Sequence, residues 1–258
     1  MAKKWNKFPH ANQAFAYDTN AIKKQWARLH RGDTEPWPAS SQVLDAWRFY
    51  HAGDFQQAVA LGNAAGGPGV NAAVKAQTVY ATHLESHEPS RLALLEQAAG
   101  WADAYRKSAP KDANAHYLYA FALGRYGQHI SVAKALAQGF GGKIKEALTT
   151  ALKLNPEHAD AHTAYGAYQS EVIDKVGALV AGMTYGAKKD NAIERFEKAL
   201  ELFPESPVTH VEYANGLLRL FGKARIEEAA KLYEKAAKLK PMDAMERLDV
   251  EAAKRELE

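Results

Sequence analysis

The sequence contains no cysteine. This excludes disulfide frameworks, thiol nucleophiles, zinc ribbons and iron–sulfur clusters. Glycine and proline, at 18 and 10 residues, are too few for a collagen-like or low-complexity chain. An excess of one charge is also missing, because 33 Lys and Arg face 30 Asp and Glu. A net charge of +3 is too small for the basic surface typical of nucleic-acid binding, so no nucleic-acid partner is expected.

Long hydrophobic runs are missing as well. The longest apolar stretch, Val176–Met183, is far shorter than the ~20 residues that a membrane span needs. The first ten residues carry lysines but no apolar run of signal-peptide length. We therefore expect no membrane span and a cytoplasmic location. A hydrophobic content of 47% in 258 residues is typical of a folded globular protein with a sizeable core.

What the sequence does contain is internal repetition. Three phrases place apolar residues at the helical spacing i, i+3, i+4, i+7, and each ends at a proline, which cannot extend a helix. They are Lys145–Pro156, Ala192–Pro204 and Ala229–Pro241. A second phrase follows Pro110, Pro156 and Pro204, and its copies are Ala113–Ala120, Ala159–Gly166 and Pro207–Ala214.

These phrases resemble the tetratricopeptide repeat, a pair of antiparallel helices A and B with a period of about 34 residues. The repeat needs small residues where its helices cross, then a large residue and a terminal proline. Gly166, Ala192, Phe196 and Pro204 match these places, and so do Ala214, Ala229, Tyr233 and Pro241. An earlier unit covers Ala46–Ala58, and residues 70–110 form a degenerate hairpin. The resemblance implies an all-α, right-handed tetratricopeptide-type solenoid of about five hairpins.

The two ends of the chain differ from the repeats. Residues 1–38 are predicted to form an N-terminal arm with one short helix, capped by Asp18 and stopped at Gly32. Its many aromatic residues predict that the arm docks on the body. Residues 39–258 are predicted to form the solenoid. Residues 242–258 end it as a capping helix with one narrow apolar stripe, Met245, Leu248 and Ala252.

Two consecutive repeats carry long insertions between helix A and helix B. They cover about residues 131–143 and 174–188, and both are apolar and glycine-rich, unlike ordinary loops. Either they pack on each other, or they form a lip around an apolar ligand or a partner helix. We expect them to meet on one edge of the solenoid, near Phe121 and Arg125. Phe140, Met183 and Tyr185 are the side chains expected to remain available to a partner.

This layout resembles the regulator of microtubule dynamics family and its bacterial relatives, from about Ala115 to Glu258. The phrases that carry the resemblance are Gly139–Ala147, Leu154–His162 and Asp190–Leu202. It implies a helical-repeat binding protein with no catalytic residues to carry over. The membrane-anchoring segments of the animal members have no counterpart in this sequence, and microtubule binding is not inferred.

Ten histidines raise the possibility of a metal site. His83 and His87 are four residues apart, but a third and a fourth ligand are missing, so a capped helix end is the better interpretation. His116, His162 and His210 share one register in three consecutive repeats, which favours a packing role. Nucleophile and phosphate-loop motifs are absent. We therefore expect no enzyme, no cofactor and no metal.

The remaining candidate site is the concave groove, which helix A of each repeat lines. We predict a non-enzymatic scaffold that binds a peptide or helix there, with arginines pairing an acidic group. The alternative is a carrier of a small apolar ligand enclosed by the two insertions. Whether the groove is open, or is filled by the arm or the insertions, is left undecided by the sequence. The candidate binding residues are Trp47, Tyr50, Tyr117, Phe121, Arg125, Phe140, Met183, Tyr185, Asn215 and Arg219.

Overall fold

The computed structural model describes residues 5–258, and this part of the chain contains helices and no β-strand. The predicted all-α fold class is confirmed. The first four residues of the predicted arm lie outside the described residues. Four helices end two or three residues before Pro110, Pro156, Pro204 and Pro241, as the repeats predict. The Asp18 carboxylate accepts hydrogen bonds from the backbone N–H groups of Asn20 and Ala21 at 2.9 and 2.8 Å, as predicted for the first helix.

Contacts between residues divide the chain into two compact units. The first unit contains the residues up to His30, Thr34–Ile130 and Met242–Met245. The second unit contains Arg31–Asp33, Ser131–Pro241 and Glu246–Glu258.

The first unit is built from six α-helices in chain order, each packed on its neighbours from α2 onward. They are α1 (Thr19–Leu29), α2 (Ser41–Ala52), α3 (Phe55–Ala65), α4 (Gly69–His83), α5 (Glu88–Ser108) and α6 (Ala113–Gln128). A 3-10 turn, Gln13–Phe15, precedes α1. In this unit α2, α4 and α6 are the predicted A helices, and α4 packs on both α2 and α6.

The second unit contains the last repeats and both insertions. Its helices are α7 (Val132–Ala137), α8 (Phe140–Leu154), α9 (Ala159–Val176), α10 (Ala178–Tyr185), α11 (Lys189–Leu202), α12 (Pro207–Phe221) and α13 (Ile226–Lys238). A 3-10 turn, Gly222–Arg225, joins the last two. The final helix, α14 (Ala244–Arg255), begins in the first unit and continues in the second. It buries Val250 and Ala253 besides Met245 and Leu248, so the predicted narrow stripe is wrong.

Small residues stand where the A and B helices cross in the second unit. A Cβ added at Gly166 on α9 would lie 2.9 Å from the Phe196 ring and 3.0 Å from the Ala192 carbonyl oxygen on α11. Ala192 and Phe196 are fully buried. The backbones therefore approach so closely that only glycine fits at position 166, which confirms the register read from the sequence.

The two insertions form the short helices α7 and α10. Gly177 and Gly186 bound α10 and have φ angles of +81° and +67°, a region that favours glycine. Ala181 on the inner side of α10 is buried together with Ile173, Ala187, Ala192 and Leu220. The second insertion is thus held on the body by an apolar core of its own.

The N-terminal arm docks on the first unit, as its aromatic residues predict. The Trp5 ring stacks on Tyr80 of α4 with 4.0 Å between ring centroids. The Tyr80 hydroxyl accepts a hydrogen bond from the Asn6 backbone N–H at 3.0 Å. The Asn12 side chain donates to the Ala52 carbonyl at 2.6 Å. Stacking and hydrogen bonds together fix the arm along α2 and α4.

Candidate functional site

The structure buries the first two predicted groove residues. Trp47 and Tyr50 of α2 belong to an aromatic cluster with Trp26 and His30, in which the Trp26 and Trp47 rings meet edge to face at 6.5 Å. The Tyr50 hydroxyl donates to the Met245 sulfur at 2.8 Å. Both side chains are therefore part of the core of the first unit and offer no surface to a partner.

A buried chain of polar groups accompanies this cluster. The Asp243 carboxylate lies 2.8 Å from Nδ1 of His51, and Nε2 of His51 lies 3.2 Å from Nε2 of His30. Because a carboxylate accepts, His51 carries its proton on Nδ1 in its neutral form, and His30 donates to its Nε2. This relay joins α2 to the start of α14 within the first unit.

The segment Thr34–Trp37 covers the first turns of the A helices in the first unit. The Glu35 carboxylate is buried and accepts hydrogen bonds from the side-chain amides of Asn114 at 2.6 Å and Asn71 at 3.4 Å. The Glu35 carbonyl accepts from the Trp26 indole N–H at 2.8 Å. A non-helical segment of the chain itself thus occupies part of the A-helix surface that the sequence assigns to a partner.

Further along α6, the predicted residues differ in exposure. Tyr117 is buried and stacks on Phe121 with parallel rings 5.9 Å apart. Phe121 and Arg125 are half-buried, and the Arg125 guanidinium lies 5.5 Å from the Phe121 ring. This distance is within the range of a cation–π contact. An aromatic ring and a cation are thus partly open to solvent on the later turns of this helix.

In the second unit, Gly32 covers the start of α9. Its carbonyl accepts from the Asp160 backbone N–H at 2.9 Å, which satisfies one of the unpaired donors of a helix start. A side chain at position 32 would collide with the Asp160 carboxylate. The predicted role of Gly32 as a helix stop is wrong, because α1 already ends at Leu29. Gly32 permits a close approach to α9 instead.

The other pair of predicted residues lies on α12. Asn215 and Arg219 are half-buried, one helical turn apart. The Asn215 side-chain oxygen accepts a hydrogen bond from the Tyr233 hydroxyl of α13 at 2.6 Å. Nη1 of Arg219 is buried and has no hydrogen-bond partner within residues 5–258. Because this nitrogen is buried, it is closed to a partner, and only the remainder of the half-buried Arg219 side chain reaches the surface of α12.

The two insertions contact each other. A Cβ added at Gly141 on α8 would lie 2.6 Å from Cε1 of Tyr185 on α10, so the tyrosine ring rests on the glycine backbone. Phe140 is buried and Tyr185 half-buried, whereas Met183 is 81% exposed. The predicted meeting of the insertions is confirmed. Their position next to Phe121 and Arg125 stays a prediction.

Most of the exposed apolar side chains of the insertions were not predicted from the sequence. Besides Met183, the structure exposes four others, which we call together with Met183 the insertion surface: Val132, Leu136, Leu179 and Val180. The signal was present, because both segments are apolar without helical periodicity. What the sequence does not reveal is which side of each short helix faces the body.

The three histidines in one register have a structural role. Nε2 of His116, His162 and His210 lies 3.0, 2.9 and 2.9 Å from the carbonyl oxygens of Pro110, Pro156 and Pro204, respectively. Each histidine thus forms a hydrogen bond that links helix A to the proline turn preceding it. Burial lowers the pKa of His162 and of His210 below the ordinary value of 6.5. Within the described chain, no three His, Asp or Glu side chains are grouped to hold a metal ion.

The comparisons agree with this architecture. The sequence pattern of the family described as Regulator of microtubule dynamics protein 1-3 matches residues 71–258. The chain belongs to this family. The match begins earlier than the resemblance read from the sequence, so it includes the degenerate hairpin. None of the curated proteins compared with the chain matches its sequence.

A solved structure has a fold similar to that of most of the chain. The crystal structure of a thermophilic TPR protein from Thermus thermophilus superposes with a TM-score of 0.57 at 17% identity. The similarity covers 83% of this chain and 97% of the other. At this identity it shows a common tetratricopeptide-like fold. Among residues 5–258, no helix is both long and apolar enough to cross a bilayer.

Proposed function

We propose that this family member is a non-enzymatic scaffold that binds a peptide or helix of a partner protein through the A helices. The observation that carries the proposal is a repeated arginine. Arg125 on α6 and Arg219 on α12 each follow the proline-bonded histidine of their helix by nine residues, at His116 and His210. Both arginines are half-buried and therefore partly accessible.

The chemistry around the arginines favours an acidic partner segment. Arg125 lies over the Phe121 ring, and arginine beside an aromatic ring is a frequent anchor in protein interfaces. Arg219 is half-buried, so part of its side chain reaches the surface of α12, and a guanidinium pairs with a carboxylate through charge-assisted hydrogen bonds. On α9, the A helix between α6 and α12 in the sequence, the corresponding residue nine positions after His162 is Glu171. It pairs with Lys175 at 2.6 Å. Each unit thus offers one cationic position on an A helix, Arg125 in the first unit and Arg219 in the second.

The Glu35 segment supports this mode of recognition. It is a non-helical stretch whose Glu35 carboxylate accepts hydrogen bonds from amide side chains of two successive A helices, Asn71 and Asn114. The A helices of the first unit therefore already bind one carboxylate, that of Glu35, from a non-helical segment of the chain. We infer that a partner segment uses the later turns, where Phe121 and Arg125 remain partly open.

The carrier alternative remains a separate prediction, and the exposure of Met183 and Leu179 does not favour an enclosed apolar ligand. Native mass spectrometry distinguishes the two functions, because a carrier would retain a small molecule and add its mass to that of the chain.

A photo-crosslinking experiment tests the scaffold function. A photoreactive phenylalanine analogue replaces Phe121 on α6 or Val211, a half-buried residue on α12, and the crosslinked proteins are identified by mass spectrometry. We expect capture of a protein through an acidic segment, and loss of this capture in the Arg125→Ala, Arg219→Ala double variant. Arg225→Ala is the matched control, since Arg225 pairs with Glu228 at 2.7 Å outside helix A. Capture that is independent of both arginines, or absence of any captured protein, would overturn the proposal.

A further inference from the structure

The insertion surface presents apolar side chains that protrude into solvent. Leu179 and Met183 of α10 are 76% and 81% exposed, and Val180 is 50% exposed. Leu179 and Met183 are four residues apart and share one helix face, and Val180 is three residues before Met183. Side chains with so much free surface do not line a groove. They project from the protein, as do apolar side chains that insert into a non-aqueous phase.

The charged residues within the two insertion segments are all basic, and acidic residues adjoin both segments. The two segments 131–145 and 175–189 contain six lysines and no Asp or Glu: Lys134, Lys143, Lys145, Lys175, Lys188 and Lys189. Four of them are exposed, Lys134, Lys143, Lys175 and Lys188. Acidic residues occur only beyond these segments, at Glu146, Asp174 and Asp190, and at Glu171, which pairs with Lys175.

The exposed side chains belong to a helix, α10, whose position is fixed by packing. Ala181 of α10 is buried against the body, and the Tyr185 ring rests on Gly141 of the other insertion. The Lys145 ammonium would lie 3.5 Å from a Cβ at Gly186, so a cation also stands beside the end of α10. The exposed apolar side chains of α10 are therefore carried by a helix of defined position, with one lysine beside its end.

We propose that the insertion surface docks on the surface of an anionic lipid bilayer. Leu179, Val180 and Met183 enter the boundary between headgroups and acyl chains, and the lysines remain at the level of the anionic headgroups. This division of apolar and basic groups is typical of interfacial helices, and each lysine near an anionic surface adds to the attraction. The contact is peripheral and is additional to the protein-binding role proposed above.

The charge pattern favours an anionic bilayer over a second copy of this chain as the partner of the insertion surface. A symmetric dimer through the insertion surface would bring lysines against lysines, because the same patch meets itself. A protein partner would need a cavity for each of the protruding side chains. A fluid bilayer accommodates them without a matching shape.

Co-sedimentation with vesicles tests the proposal. The full chain is mixed with phosphatidylcholine vesicles that contain or lack phosphatidylglycerol, and the bound fraction is measured. We expect binding to the anionic vesicles and a fall of the partition coefficient by at least about tenfold in the Leu179→Ser, Met183→Ser double variant. The matched control is Leu154→Ser, Ile226→Ser, which changes side chains that are 40% and 54% exposed elsewhere in the second unit and should bind normally.

A charge-reversal variant tests the electrostatic contribution to bilayer binding. Lys134→Glu, Lys188→Glu should weaken binding to anionic vesicles, whereas the exposed Lys231→Glu on α13 should not. Binding that the serine variant leaves unchanged would overturn the proposal, as would failure to bind anionic vesicles. A dimer in sedimentation velocity that the serine variant abolishes, without vesicle binding, would assign the surface to self-association. Binding of polyglutamate without vesicle binding would assign it to an acidic protein.

Discussion

The ring of Tyr185 rests directly on the backbone of Gly141, so the two insertions of the second unit are joined at a point where no side chain fits. Tyr185 is the last residue of α10, and Gly141 is the second residue of α8. The contact fixes the end of the short helix that carries Leu179 and Met183. Gly141 therefore contributes to the position of the second insertion, together with the apolar core around Ala181.

Replacement of this glycine should loosen α10. A Cβ in Gly141→Ala would lie 2.6 Å from Cε1 of Tyr185, so the ring must move away and the contact between the insertions is lost. We expect faster amide hydrogen exchange in α10 and a lower melting temperature. The neighbouring Gly142→Ala is the control, because its Cβ meets no atom within 4 Å. That variant should gain up to about 1 kcal/mol from helix propensity. Equal exchange in both variants would contradict the role given to Tyr185.

The crossing of α9 and α11 should be equally intolerant of added volume. Gly166→Leu must displace the Phe196 ring and the backbone at Ala192, and we expect a loss of about 1–3 kcal/mol in the free energy of unfolding. Gly124→Ala on α6 is the control, since a Cβ there meets no atom within 4 Å. Urea denaturation measures both variants. An unchanged midpoint for Gly166→Leu would show that the repeat register is wrong.

The stability of the folded protein should depend on the side-chain amides that donate hydrogen bonds to the Glu35 carboxylate. Asn114→Ala removes the 2.6 Å hydrogen bond and leaves a buried carboxylate with fewer donors, which should cost about 1.5–3 kcal/mol. In a Glu35→Gln background the same substitution should cost less, because the uncharged amide needs less compensation. Thermal unfolding of the four proteins in this cycle provides the measurement. Strictly additive losses would indicate that the two side chains do not interact.

Acidification should destabilise the protein through His162 and His210. A carbonyl only accepts, so Nε2 of His210 donates to Pro204, and Nδ1 is buried without a partner in the described structure. Burial lowers the pKa of His210 in the folded state below 6.5. The unfolded chain then binds more protons, so stability is present above pH 6.5 and falls as the pH decreases below it.

Unfolding at about pH 7.5 and about pH 5.5 tests this sign, because the two values lie on either side of the ordinary histidine pKa. The wild type should be less stable at the lower pH, and His210→Gln should lose less stability on acidification, since glutamine can donate to the Pro204 carbonyl without titrating. A variant with the same pH dependence as the wild type would exclude a contribution from His210.

The repeats could be predicted because each of their determinants is local. Gly166, Ala192 and the prolines encode helix crossings and helix ends within short phrases. The histidine register is also visible in the sequence, although the proline carbonyl that each histidine binds is not. Such features need no knowledge of distant contacts.

The open surface could not be predicted in the same way. Trp47 and Tyr50 have helical spacing suited to a groove, yet α1 and the start of α14 pack over them, and this packing depends on segments far away in sequence. Leu179 and Ala181 lie in one uniformly apolar stretch, and only the core around Ile173 decides which of the two is buried. The Glu35 segment likewise depends on Asn71 and Asn114, which no local pattern relates to it.

The affinity of the captured partner segment for the intact chain tests the scaffold function most directly. Isothermal titration should give a dissociation constant that is at least about tenfold larger for Arg125→Ala, Arg219→Ala than for the wild type, as expected for the loss of charge-assisted hydrogen bonds at an interface. Arg225→Ala should bind as tightly as the wild type. Equal affinity in the wild type and the double variant would contradict the account.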